Sequence, residues 1–353
     1  MSFLTYFTYY FILIINLFYF ANTALKADSP PMPDPGENSS ISGYILDASS
    51  KETIIGATIY LKDTKKGAYT NKSGFYSISS IVPGKYTLIV NSIGYEKYVE
   101  SITLTKSQSL RRDFKIKPLT ATTKEVSVEA DKDVEKREIS ISKIDIPVKQ
   151  LKEIRIGGES DIFRSLQFLP GVLTSSQISS GLFVRGGSPD QNLVLLDGST
   201  VYNPSHLFGF ISTFNTDAIK DVELIKGGYP AEFGGRLSAV LNLTQRDGNQ
   251  EKTEGIANIG IISSKISLDG PIGNGSWFIS GRRTYFDLIL GLLPDDPQNP
   301  FPNFHFYDVN AKISQNLGDN DKVYLSGFLS SDYLTYTASG ISMDLGIGNQ
   351  LLA

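Results

Sequence analysis

KGGYPAEFGGRLSAVLNL, residues 226–243, sets four glycines and an acid–base pair, Glu232 and Arg236, directly ahead of a run of alternating Ser, Val, Asn and Leu. Glycine takes positive φ without a Cβ clash, so Gly227–Gly228 and Gly234–Gly235 mark two sharp reversals between extended segments. An ordinary soluble core rarely needs both. The stretch asks for a place where strands meet tightly and charge stands beside them.

Upstream, residues 160–172 put Ile162, Phe163, Leu166 and Leu169 on one helical face that Pro170–Gly171 ends. Strands GLFVRGG and NLVLLDG come next, then the turn-rich VYNPSHLFG, then STFNTDAIKDVELIK, which reads as helical. Together, residues 151–248 form a compact α+β unit.

Downstream, over residues 249–353, the pattern changes. In FYDVNAKISQNL, Tyr307, Val309, Ala311 and Ile313 alternate with Asp308, Asn310, Lys312 and Ser314, over the ~10 residues a tilted membrane strand requires. KISLDG repeats the habit, whereas GSWFISGRRTYFD and KVYLSGFLSSDY alternate less cleanly. Trp277, Tyr285, Tyr307 and Tyr333 stand near segment ends, where membrane strands carry interfacial aromatics and half-buried sheets also do. GPIGNGS and GDND are short connections. Residues 288–305 make a long, proline-rich one, the alternation expected of outer-membrane barrels. About five strands are countable where a large transporter barrel closes at about 22. Open strand edges do not persist in lipid, so the chain is expected to be an N-terminal portion or a truncated product.

Ahead of the α+β unit, residues 41–119 read as short strands punctuated by turns, with Val82-Pro83-Gly84-Lys85 set for a type II turn, hence a small Ig-like β-sandwich. Residues 120–150 are charged and lack aromatics, a linker. Within it EVSVEA (Glu125, Val126, Ser127, Val128, Glu129, Ala130) is β-prone, either a last sandwich strand or a peptide that adds to a partner's sheet edge. Residues 3–21 are uncharged and apolar, a signal peptide spanning 1–27 with a spacer at 28–40, or a retained anchor. Either reading places the chain from residue 28 onward outside the cytoplasm.

Composition removes whole classes of function. With 33 basic and 37 acidic residues the chain lacks the positive surface that nucleic acid demands. It has no cysteine and only His206 and His305, far apart, so thiolate sites, cysteine nucleophiles and a zinc-peptidase pair are excluded and no metal or cofactor is expected. Neither GxGxxG nor GxxxxGK occurs, and no triad is visible; an enzyme is not expected.

Two resemblances add to this reading. ISGYILD, GATIYLKD, TNKSGFYSI and VPGKYTLIVNSIGYE resemble the carboxypeptidase regulatory-like domain over about eighty residues. SLQFLPGV, FVRGG, NLVLLDG, VYN and DAIKDVELIKGGYPAEFGGRLSAVLNL resemble, in the family's order and over about a hundred residues, the plug domain of TonB-dependent outer-membrane receptors. The match departs from the glycan-importing branch, so a starch-type substrate is not implied. The second resemblance implies a plug inside a barrel in the outer membrane of a Gram-negative bacterium, with sandwich and linker in the periplasm. It also implies energy-coupled import of a scarce nutrient (siderophore, vitamin, peptide or glycan), with the inner-membrane TonB complex, outer-membrane lipid and a surface lipoprotein as partners. EVSVEA is then the candidate TonB-interacting segment. Arg185, Tyr202, Asn203, His206 and Phe208 become candidates for facing substrate, His206 equally a packed histidine. Arg185, Glu223, Glu232 and Arg236 become candidates for ion pairs to the barrel lumen. The rival reading is an exported periplasmic or surface protein whose sandwich and plug-like unit bind a partner without transport.

Overall fold

The computed structural model describes residues 38–119, 143–147, 151, 155–156, 159–174, 181–206, 209–292, 303–318, 321–338 and 341–352. The leader, the EVSVEA segment and Phe208 lie outside them.

The N-terminal domain is a β-sandwich. β1 (Ser39–Asp47), β4 (Phe75–Ile81), β7 (Ser109–Arg111) and β8 (Phe114–Ile116) form one sheet, with β4 on one side of β1 and β7 and β8 on the other. The second sheet runs β3-β2-β5-β6, from β2 (Thr58–Leu61), β3 (Gly67–Tyr69), β5 (Gly84–Asn91) and β6 (Tyr98–Leu104). Alternation decides what lies between them: Ile41 and Ile45 of β1, Ile59 and Leu61 of β2 and Leu88 and Val90 of β5 meet Tyr76 and Phe114 in one buried cluster. The expected type II turn at Val82-Pro83-Gly84-Lys85 does not form. Positive φ falls on Ser80 (56°), and Gly84 already belongs to β5.

The central unit is built on a five-stranded sheet ordered β15-β14-β19-β18-β9. Its strands are β9 (Lys143–Pro147), β14 (Leu193–Leu196), β15 (Ser199–Thr200), β18 (Ile219–Ile225) and β19 (Val240–Gln245). β14 lies parallel to β19 and the other pairs are antiparallel. Asp197 (φ 48°) and Gly198 (φ 86°) make the two-residue reversal between β14 and β15, the double left-handed geometry a tight hairpin requires. Three two-stranded ribbons surround the sheet: β10 (Arg155–Ile156) with β11 (Glu159–Ser160), β12 (Val172–Leu173) with β13 (Phe183–Val184), and β16 (Ser205–His206) with β17 (Ile211–Ser212).

The helix α1 (Ile162–Leu166) forms as the spacing predicts. Asp161 caps it by accepting the Arg164 N–H at 2.9 Å, and Ile162, Phe163 and Leu166 are buried against Val222, Leu224 and Leu241. The helix expected within residues 212–226 is instead strand β18. Ala218, Ile219, Val222 and Ile225 mimic a helical period, but β19 and β9 offer backbone partners on both sides, and a short apolar run yields to that pairing. Of the four glycines in the 226–243 stretch, Gly227, Gly228 and Gly235 take positive φ and Gly234 does not.

The C-terminal sheet is an antiparallel meander of six strands in sequence order: β20 (Glu254–Ile259), β21 (Ser263–Ile272), β22 (Gly275–Thr284), β23 (Asn303–Asn316), β24 (Lys322–Ala338) and β25 (Ile341–Leu352). A short helix α2 (Phe286–Leu290) comes after β22. β25 is the strand beyond the five countable in the sequence, its alternation interrupted by Gly346 and Gly348. Burial runs inside out. Asp269 is 3 % exposed beside Leu268 at 42 %, and Lys312 is 3 % exposed beside Ile313 at 46 %. One face of the sheet therefore buries Ser, Asp, Asn, Lys and Arg against the central unit while the other presents Ile, Leu and Val outward. A water-soluble sheet does the reverse; a transmembrane barrel wall, polar within and apolar toward lipid, requires this arrangement.

Candidate functional site: the charged interface between central unit and wall

Lysine, arginine and aspartate at inward positions of the wall strands must find partners, because an unpaired buried charge is strongly destabilising. The central unit supplies them in two clusters.

The first cluster is a relay of alternating charge. Glu159, placed by the β10–β11 ribbon, takes Lys265 of β21 at 2.6 Å and Arg282 of β22 at 3.3 Å, and accepts the Ser263 hydroxyl at 2.5 Å. Arg282 reaches on to Asp308 of β23 at 2.6 Å and donates to the Ser212 carbonyl at 2.8 Å. Asp308 also binds His206 Nε2 at 2.7 Å, and His206 Nδ1 lies 2.5 Å from Asp332 of β24. Phe306 backs the chain: the His206 imidazole stacks on it at 3.8 Å and the Arg282 guanidinium lies 5.0 Å from its centre. Burial alone would push the His206 pKa down, but Asp308 and Asp332 outweigh it and raise it above the ordinary value, so the imidazolium is the favoured form. Burial likewise works to raise the Glu159 carboxyl, and Arg282 and Lys265 overcome it and hold it below its usual range.

The second cluster surrounds Asp247, just past β19. Its carboxylate takes Lys220 of β18 at 2.5 Å, Lys322 of β24 at 2.9 Å and Lys312 of β23 at 3.1 Å. Asp197 in the β14–β15 turn lies 3.4 Å from Lys312 and accepts the Gln245 N–H at 3.0 Å. Desolvation opposes the charge on Asp247, yet its lysines hold its pKa well below the carboxylate range. A cavity of about 530 Å³ opens beside it, bordered by Lys72 and Ser73 of the sandwich as well as Asp197, Lys220, Lys312 and Tyr324. Nearby, Arg246 reaches Asp269 of β21 at 3.3 Å.

The two clusters lie toward opposite ends of the wall. Asp247 and Lys322 stand by the turn at 273–274 and the Asn316 and Lys322 ends of β23 and β24, whereas His206, Phe306 and Asp332 stand toward the Thr284 and Asn303 ends of β22 and β23. Trp277 is near the first end; Tyr285, Tyr307 and Tyr333 are near the second. Among the described residues no group of three His, Asp or Glu is arranged to hold a metal ion.

Among the described residues, those proposed from sequence as ion pairs to the lumen make their contacts elsewhere than on these six strands. Glu223 is buried within the central unit, held by Lys143 at 2.9 Å and Asn242 at 2.9 Å; burial opposes its charge but those partners keep its pKa low. Glu232 and Arg185 are exposed, Arg185 with a left-handed backbone (φ 48°), and the Arg236 guanidinium donates to the Gly235 carbonyl. The reason is local: Tyr229 and Phe233 anchor the glycine-rich loop on Leu193, Leu195, Ile225 and Val240 of the central sheet, with Lys72 of the sandwich 5.1 Å over the Phe233 ring, while Glu232 borders the cavity that Lys312 and Lys322 share. Of the candidate substrate-facing residues, Tyr202 is exposed, Asn203 lines a small cavity with Phe304 and Asp332, and His206 is buried in the relay rather than open to a ligand. Sequence reasoning does not single out Glu159, Asp197, Asp247, Lys265, Arg282, Asp308, Lys312 or Asp332 as site residues. The signal available is a polar residue at every second position of otherwise apolar strands, some of them charged, as in Lys265, Asp308 and Lys312.

Family models match the sandwich and the central unit. Residues 41–128 match the CarboxypepD_reg-like domain model and residues 135–240 the TonB-dependent Receptor Plug Domain model. The TonB-dependent transporter Oar of Myxococcus xanthus is 26% identical over 224 residues, a match covering 61% of this chain and 21% of that relative, so the chain spans about a fifth of its length. Among solved structures, a variant of the ferric enterobactin receptor PfeA of Pseudomonas aeruginosa is similar at 19% identity, covering 57% of this chain and 34% of that one with a TM-score of 0.41. The outer membrane transporter YddB of Escherichia coli is similar at 14% identity, covering 60% and 36%, with a TM-score of 0.45. The chain therefore carries, in order, a carboxypeptidase regulatory-like sandwich, a TonB-dependent receptor plug domain and strands of an inside-out wall.

Proposed function

We infer that this receptor binds a scarce nutrient outside the cell and imports it across the outer membrane, driven by a TonB complex that engages the chain ahead of the plug. The observation that carries this reading is the inside-out wall whose buried charges are neutralised by the plug. Such a plug fills a water-lined channel, and its charge pairs can be exchanged for water when it moves, which an apolar plug could not do without exposing its core. Siderophores, vitamins, peptides and glycans are the ligand classes, Tyr202 and Asn203 the plug residues assigned to face them, and residues 125–130 the segment assigned to TonB. The sandwich and linker then lie in the periplasm, and a surface lipoprotein would assist capture.

The test is growth of a deletion strain on defined sources: ferric siderophore, cobalamin, oligopeptide and glycan, each as the sole supply. Import predicts loss of growth on one source, rescue by the full-length gene, and no rescue by a gene lacking residues 125–130. Growth indistinguishable from wild type on all, with the protein recovered in the soluble periplasmic fraction, overturns the reading.

A further inference from the structure

The chain from the end of β1 at Asp47 to Thr53, the first part of the connection to β2, is ordered beyond what a surface connection needs. The Asp47 carboxylate accepts the N–H groups of Ser49 (2.7 Å) and Ser50 (3.1 Å) and the Tyr95 hydroxyl (3.0 Å). Lys51 is held left-handed (φ 57°), its N–H donating to the Asp47 carbonyl at 2.9 Å. Gly74 closes behind the loop, since a Cβ there would lie 2.5 Å from Thr53 Cβ. A strained, pre-shaped loop is the usual mark of a contact surface.

Its contact is the segment 246–251, which leaves the plug at β19 and enters the wall at β20. The Gln250 N–H donates to the Ser50 carbonyl at 2.9 Å, and the Asp247 N–H donates to Glu52 Oε1 at 2.6 Å. Glu52 Oε2 stands 3.7 Å from Arg246, and Lys220 Nζ stands 3.4 Å from the Thr53 hydroxyl. Lys51 pairs with Glu251 at 2.5 Å, but both are more than a third exposed and the pair adds little. Arg246 and Asp247 are also the residues by which the plug grips the wall, through Asp269, Lys312 and Lys322. Gly248 fixes the segment against the wall, its φ 94° and a Cβ there only 2.3 Å from the Trp277 carbonyl oxygen. Sandwich, plug and wall therefore share two adjacent residues.

We propose that the sandwich is a docked latch: residues 50–53 bind residues 246–251 of the same chain, and this contact holds the plug's exit segment to the wall. Undocking removes the acceptor of the Asp247 amide and the Glu52 charge beside Arg246, and the segment loosens. The proposal concerns the docking contact and is independent of which nutrient is imported.

The chain contains no cysteine, so a Ser50→Cys/Gln250→Cys pair in the full-length receptor reports docking directly. These backbones are hydrogen-bonded to each other, within disulfide reach. In isolated outer membranes under mild oxidation, most chains should form the cross-link, seen as a mobility shift abolished by dithiothreitol. Adding Glu52→Lys should reduce it at least fivefold, while Glu52→Gln, which keeps an oxygen for the Asp247 amide, should retain more than half. Hydrogen exchange of the full-length receptor should show Asp247 and Gln250 at least tenfold faster in Glu52→Lys, with β5 and β23 peptides unchanged. A cross-link no more abundant than in a Ser107→Cys/Gln250→Cys control overturns the proposal. So does equal exchange at 247–250 in wild type and Glu52→Lys, or loss of the cross-link in Glu52→Gln as complete as in Glu52→Lys.

Discussion

Replacing His206 with alanine tests the plug–wall relay at a buried point. The imidazolium bridges Asp308 at 2.7 Å and Asp332 at 2.5 Å and stacks on Phe306. Without it Asp308 keeps the Arg282 guanidinium at 2.6 Å, but Asp332 loses its cation inside the interface. Breaking a buried pair by removing one partner costs about 3–5 kcal/mol, and the lost stacking about 0.5–1.5 kcal/mol more. Partial access of water to Asp332 offsets some of this, so about 4 kcal/mol is expected. At about 1.4 kcal/mol per factor of ten, that is close to a thousandfold faster opening. Hydrogen exchange at Phe210 and Thr213, whose N–H groups bond the His206 and Pro204 carbonyls at 3.0 Å, reads it. The cycle His206→Ala, Asp332→Ala and the double variant should give a coupling of about 2 kcal/mol. The pH dependence has a definite sign. Because Asp308 and Asp332 overcome burial and the opposing Arg282 to raise the His206 pKa, its stabilisation is complete below the ordinary histidine value of about 6.5 and is lost as pH rises through the raised folded value. Opening, corrected for intrinsic exchange, should grow easier above that point in wild type and stay flat in His206→Ala. A coupling below about 0.5 kcal/mol, or opening that grows easier as pH falls from 7 to 6, would refute the relay.

Glu159→Ala strips the buried Lys265 and Arg282 of their shared carboxylate and should cost about 3–5 kcal/mol by denaturant unfolding of the refolded receptor; Glu159→Gln, which keeps the Ser263 contact, should cost less. The low pKa of Glu159, set by Arg282 and Lys265 against burial, means its contribution is present above the ordinary carboxylate range and lost as pH falls through the folded value; the acid limb of the stability profile should flatten in Glu159→Gln. Gly248→Ala forces a side chain into the Trp277 carbonyl at a left-handed φ and should destabilise by about 1–3 kcal/mol in thermal melts; no change would mean the segment is not seated as described. Leu268→Arg on the outward face should cost about 2–4 kcal/mol in lipid vesicles and nearly nothing in water, a contrast a soluble sheet would not show.

Much of the fold is legible in the sequence because period-2 alternation and turn chemistry are local. Ile162, Phe163 and Leu166 announce their helix, and Tyr307 through Ser314 announces a strand with one polar and one apolar face. The pattern cannot say by itself which face is inside; burial of the charged face is visible only in the structure. Strand β18 reads as a helix because its apolar spacing satisfies two periods, and only pairing with β9 and β19 separates them. The site is the least legible region. Glu232 and Arg236 stand beside conspicuous glycines, but Glu159 follows Gly157–Gly158 and Asp247 precedes Gly248, so a neighbouring glycine does not tell which charges join plug to wall. Their partners are 106 to 123 positions away for Glu159 and 65 to 75 for the Asp247 lysines on the wall, a separation no local pattern encodes.

The position of β9 at the rim of the plug sheet has a mechanical consequence. It is antiparallel to β18, with Lys143 opposite Ile225 and Pro147 opposite Asp221, and its other side has no strand beside it among the described residues. Tension applied to the chain ahead of Lys143 would load that residue first, and a pull across the strand would open the pairs in succession, from Lys143–Ile225 to Pro147–Asp221. β14, β19 and β18 would stay knit meanwhile, and the first stretch of chain drawn out would be surrendered at low force.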